Sequence, residues 1–122
     1  MRFNANLPLL DLSGKEVKEA VIGDDGRPTG EMRTLTLGYV ACIALDHLER
    51  EEINRDEKMR RFVLQTKLYD AIGPIEIKSE DAALIKKCVG AHPAMRPYVL
   101  GRIAEEIERP SSLDKPKTKA AA

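Results

Sequence analysis

The side chains of this chain best suited to holding a metal ion are Cys42, His47, Cys88 and His92. A zinc centre needs four such ligands, or three with an open position. Cys88 and His92 stand at i, i+4 and share a helix face, whereas Cys42 and His47 stand at i, i+5, a poor spacing for one face. Both cysteines fall in apolar helical patterns, where a free thiol packs as a small hydrophobe. The better reading is buried thiols and surface imidazoles, with no metal and no cofactor.

Nucleophilic catalysis fares no better. It needs an activated nucleophile beside a base. The apolar setting of Cys42 and Cys88 predicts inert thiols. Ser13 falls in a turn, and Ser111-Ser112 in a polar tail that cannot hold a reacting geometry. Asp24-Asp25 is the most exposed-looking carboxylate pair, and a turn that simply uses Asp explains it. Gly23, Gly26 and Gly30 lack the following Lys-Ser or Lys-Thr, and the preceding buried strand, of a phosphate-binding loop. A DNA-reading helix-turn-helix would have its second helix end in Glu105, Glu106 and Glu108, which repel phosphate.

Composition supports the same conclusion. The chain has 122 residues, enough for one domain. Its 20 basic and 20 acidic side chains cancel, so it has no bulk attraction to nucleic acid or to an anionic bilayer. Three Tyr, two Phe and no Trp leave few platforms for stacking bases. No apolar run approaches the ~18 residues of a membrane span, and the first residues are too short and polar for a signal peptide. Two cysteines without a disulfide-type spacing point to a cytoplasmic setting with reduced thiols.

The elements that would position a site follow from turn and cap signals. Residues 1–33 read as extended. Ser13-Gly14 marks a turn, predicting a β-hairpin with Leu7–Leu12 as one arm and Lys15–Ile22 as the other. Gly23–Gly30 is dense in turn formers and reads as a loop placed for an induced contact. Thr34 or Thr36 caps a first helix running to Leu48, with the broad apolar face of a central helix. Asn54 with Glu57 opens a second helix reaching about Ile72. It carries one apolar stripe of Met59, Phe62, Val63, Thr66 and Tyr69, flanked by another of Leu64, Leu68 and Ala71. Gly73-Pro74 stops it, and Ile75–Ile77 is a short edge strand. Ser79 caps a third helix, Gly90 ends it, and Pro97 opens a fourth that Pro110 stops. Residues 111–122 hold too few apolar side chains to order themselves.

The basic side chains of the second helix, Arg55, Lys58, Arg60, Arg61 and Lys67, look like a docking face. Asp56–Arg60 and Glu57–Arg61 at i, i+4 make them a largely self-neutralised, solvated surface. The expected interaction surface therefore combines the less charged hairpin arm (Leu7, Leu9, Leu10, Leu12), the loop acids Asp24 and Asp25, and Arg55, Lys58 and Arg61.

Four stretches carry a resemblance. They are Leu10-Asp11-Leu12-Ser13-Gly14-Lys15-Glu16, Thr34-Leu35-Thr36-Leu37-Gly38, Arg60-Arg61-Phe62-Val63-Leu64-Gln65-Thr66-Lys67 and residues 75–86 from Ile75 to Lys86. Together they resemble small proteins encoded by tailed phages and prophages, mostly without assigned function. The resemblance implies a phage origin and a bacterial host cytoplasm, with no catalytic motif.

These readings define one α+β domain over residues 1–110, an N-terminal β-hairpin on about four helices with one short extra strand, and a disordered tail over 111–122. The expected function is non-enzymatic protein binding, by self-association or to a phage or host component, in virion assembly or as a regulator of a host machine. Nucleic-acid binding through helix 54–72 and the lysines of the tail is the alternative.

Overall fold

Thr36 sets the position of the central helix. Its side chain accepts the Tyr39 N–H at 3.2 Å, and Leu37–Asp46 follows as α1. In the computed structural model, which describes residues 1–48 and 54–108, the elements run β1 (Arg2–Asn4), β2 (Lys18–Ile22), β3 (Pro28–Thr34), α1, α2 (Arg55–Tyr69), β4 (Pro74–Glu76), α3 (Ser79–Ala91) and α4 (Pro97–Glu108). This is a small α+β domain, as the turn and cap signals predict. The charged connector Glu49–Glu52 and the expected tail 111–122 lie outside the described residues.

The first N–H groups of a helix have no partner within it. In α1 they turn to the chain's own N-terminal segment: Leu37 N–H donates to Leu7 O and Gly38 N–H to Ala5 O, both at 2.9 Å. The approach is close enough that a Cβ on Gly38 would lie 2.6 Å from Ala5 Cβ. Glycine is what lets the segment dock there. α1 then packs on α2 and α3, and α3 on α4. Phe3, Leu9, Leu45, Ile85, Val89 and Ile103 form the fully buried centre.

Strand pairing extends beyond the expected hairpin. β1 lies antiparallel to β4, with Phe3 opposite Ile75, and Ile77 N–H extends the ladder to Met1 O. The turn at Ser13-Gly14 exists: Asp11 Oδ1 accepts from Ser13 N–H, Ser13 Oγ and Lys15 N–H, and Gly14 has φ +88°. Its arms pair over a short stretch, through the bridge Leu10–Glu16 with Asp11 N–H to Lys15 O on one side and Val17 N–H to Leu9 O on the other. The other backbone groups of the Leu7–Leu12 arm bond elsewhere. Leu9 N–H donates to Leu35 O, and Arg102 of α4 holds Leu10 O and Asp11 O at 3.1 and 2.7 Å.

A longer hairpin follows in β2–β3, with Lys18 opposite Thr34, Glu19 opposite Arg33 and Ala20 opposite Met32. The expected Gly23–Gly30 loop is therefore its turn and the start of β3. Gly23 N–H reaches Arg27 O and Asp25 Oδ1 accepts from Arg27 N–H. This hairpin makes its contacts almost entirely within itself. At α3 the sequence reading is one residue off. Lys78, not Ser79, holds the N-cap position, and Asp81 Oδ2 accepts the Lys78 N–H.

Candidate functional site

α2 has two apolar sides, and the helix can bury only one. Leu64, Leu68 and Arg61 face the core. At 100° per residue, Met59, Phe62 and Thr66 lie on the opposite side of the helix. That side faces solvent: Met59 is 48 %, Phe62 58 %, Val63 62 % and Tyr69 78 % exposed. Large apolar side chains at i, i+3, i+4 spacing on an outward face are the pattern by which one helix receives another. Ile72, almost wholly exposed, continues the row past the helix end. Asn6 Nδ2 donates to Ala71 O at 3.0 Å and pins the chain where this row leaves the helix.

Polar side chains flank the row. Arg55 and Lys58 are exposed near its start. On its other side an open cleft of about 450 Å³ separates α2 from the start of α3, lined by Arg60, Val63, Lys67, Lys78, Glu80 and Asp81. Arg60 lies 3.8 Å from Asp81 across this cleft. That contact replaces the expected Asp56–Arg60 pair. Acids and bases alternate here, so the cleft offers no uniform field for a phosphate backbone.

Arg61 does not belong to the surface. It is 7 % exposed, donates through Nη1 to Leu45 O and His47 O at 3.3 and 3.2 Å, and through Nη2 to Glu57 Oε2 at 2.8 Å. α1 has no basic residue in its own last turn, and Arg61 supplies the positive charge at that helix end. Leu9 is likewise excluded, being 1 % exposed. Of the other expected contact residues, Leu7 and Leu10 are half-buried, whereas Leu12, Asp24, Asp25, Arg55 and Lys58 are exposed. The structure does not bring these together: Leu12 sits on the Asp11–Lys15 turn, Asp24 and Asp25 on the β2–β3 turn, and Arg55 and Lys58 on α2.

The reactive groups are quiet. Cys42 Sγ contacts Gln65 O at 3.5 Å, and burial, with a smaller effect of Asp46, pushes its thiol up to about 11. Cys88 is buried. The Ser13 hydroxyl donates to Asp11, whose carboxyl this bond and the Lys15 N–H hold below its ordinary value. The His47 and His92 rings meet at a tilt of 50° with centroids 4.6 Å apart, and His92 Nδ1 accepts the Ala94 N–H. Among the described residues, no group of three or more His, Cys, Asp or Glu is placed to hold a metal ion, and no helix is long and apolar enough to cross a membrane. A second, apolar groove of about 260 Å³ lies between α1 and the α3–α4 bend, with Leu9, Val40, Met95 and Tyr98 in its lining.

The outward face of α2 is what sequence reasoning missed. The stripe was visible, but which of two stripes meets the core was not. The signal lay in Arg61, Leu64 and Leu68, a second inward set at i, i+3, i+7. Compared with protein-family models, curated proteins and solved structures, the chain matches none.

Proposed function

We propose that this chain is a non-enzymatic protein-binding factor, and that the outward face of α2 receives an amphipathic helix of a partner protein. The carrying observation is the exposed row Met59, Phe62, Val63 and Tyr69 on a helix whose other side is already packed. Isolated exposed apolar residues are ordinary, but a contiguous row marks an interaction surface. The half-buried Cys42 thiol, its ionisation pushed up, and the bonded Ser13 hydroxyl favour binding over covalent chemistry. The resemblance to phage-encoded proteins directs the search for the partner to phage and host components, as an assembly factor or a regulator.

A photo-crosslinking amino acid at position 62, with one at position 12 as control, tests this in phage-infected cells. One dominant cross-linked protein at position 62 is expected, lost on adding Val63→Glu, with none at position 12. Equal yields at both positions overturn the reading. So does capture that falls by orders of magnitude between low and moderate salt, the behaviour of a nucleic-acid ligand.

A further inference from the structure

The β2–β3 hairpin leaves one edge open. β3 is exposed from Pro28 to Arg33 and pairs only with β2. Beyond Thr34 the chain around Leu9 covers the strand, through Leu9 N–H to Leu35 O and the bridge between Pro8 and Thr36. Before Glu31, the positive φ of Gly30 (+90°) breaks the regular extended run. The free edge is therefore short, centred on Met32 and Arg33. A two-stranded hairpin is marginal in water unless it packs on something or gains further strands. This one is tied to the helices mainly through Arg33, which bonds Glu19 across the hairpin and lies 4.5 Å over the Tyr39 ring of α1.

We infer that a second copy of this chain completes the sheet, with β3 pairing antiparallel to its symmetry mate about a two-fold axis at Met32. Such an axis stands normal to the sheet, and opposed residues must share a face. Three registers on the free edge meet that condition. Centring on Glu31 sets two carboxylates against each other, and centring on Arg33 sets two guanidiniums against each other. Centring on Met32 sets Glu31 opposite the partner's Arg33 on both sides of the axis. Opposite charges directly across a ladder stabilise it and like charges oppose it. The same register places Ala20 and Met32, which already oppose each other in the hairpin, in a four-residue row with their copies. Met32 is 60 % exposed in the single chain, so that row covers apolar surface now in water. The surface is separate from α2, and the inference does not use the proposed helix-binding face.

Two readouts test it on the full chain. Sedimentation up to millimolar concentration is expected to show a dimer, and Glu31→Arg to raise its dissociation constant about tenfold or more. Glu31 makes no side-chain bond among the described residues, so helicity by circular dichroism should be unchanged. In parallel, Met32→Cys is expected to form a disulfide-linked dimer on mild oxidation, because opposed Cα atoms lie about 4.5–5.5 Å apart, within disulfide range. Glu31→Cys is not, since the two copies of residue 31 are offset by about 8 Å. A native chain that stays monomeric, a dimer indifferent to Glu31→Arg, or cross-linking as efficient at 31 as at 32 overturns the inference. A dimer lost with Phe62→Glu instead assigns self-association to α2 and also overturns it.

Discussion

Replacing Arg61 with Met keeps most of the apolar stem and removes every donor. Leu45 O then loses a buried hydrogen bond at 3.3 Å, and His47 O a half-buried one at 3.2 Å. A buried acceptor left without a partner costs about 1–3 kcal/mol. The positive charge at the end of α1 adds about 0.5–1 kcal/mol. The bonds to Glu57 are discounted, because that carboxylate is one-third exposed and rehydrates. The expected loss is about 2–4 kcal/mol. With an unfolding entropy of about 0.2 kcal/mol/K for a domain of roughly 100 residues, Tm falls by about 10–20 °C. Arg60→Met is the matched control, on the same helix with the same change of charge. Arg60 is half-exposed and 3.8 Å from Asp81, so its loss should stay within about 0.5 kcal/mol. Thermal and urea unfolding followed by circular dichroism measure both. Equal losses would refute the reasoning, since they would mean that Arg61 acts only as one more surface cation.

Gly38→Ala should destabilise by about 1–3 kcal/mol in urea unfolding, although Ala is the better helix former, because the added Cβ meets Ala5 Cβ at 2.6 Å and Ala5 O at 3.0 Å. Phe62→Glu should change stability by no more than about 0.5–1 kcal/mol, whereas Leu64→Ala on the inward side costs about 2–5 kcal/mol; melting curves of the pair separate the two faces of α2. Cys42 should react with a thiol reagent at pH 8 far more slowly than an unfolded cysteine, its thiol being held near 11. The unfolded thiol ionises first, from an ordinary value of 9.0, so the folded state loses stability as pH rises from there towards about 11. Cys42→Ser should weaken that alkaline loss in pH-dependent unfolding.

The helices were legible because their signals are local. Thr36 and Asn54 accept from Tyr39 N–H and Glu57 N–H as cap residues do, and Pro97 opens α4. Each is decided by side-chain and backbone groups within one turn. Strand pairing was not legible, because nothing near Phe3 states that its partner is Ile75. The Ser13-Gly14 turn brings its arms together around Leu10–Glu16, yet beyond Val17 the second arm pairs with β3, while Leu9 N–H turns to Leu35 O and Leu10 O to Arg102. Turn chemistry reverses the chain but does not fix how far the arms pair.

The sequence by itself determined an α+β chain with its cap residues, its stops and two apolar stripes on α2. The tertiary structure alone decided which stripe is the core. Both satisfy helical periodicity, and only the packing of α2 on α1 selects Leu64 and Leu68 for burial and turns Met59, Phe62 and Tyr69 to solvent. It also decided which arginine is structural. Arg60 and Arg61 are adjacent and chemically identical, but the 100° rotation from one residue to the next puts Arg61 against the open carbonyls of α1 and Arg60 beside Asp81 at the surface. Burial and partnership are properties of what lies across a gap, and that information resides in residues distant in the chain.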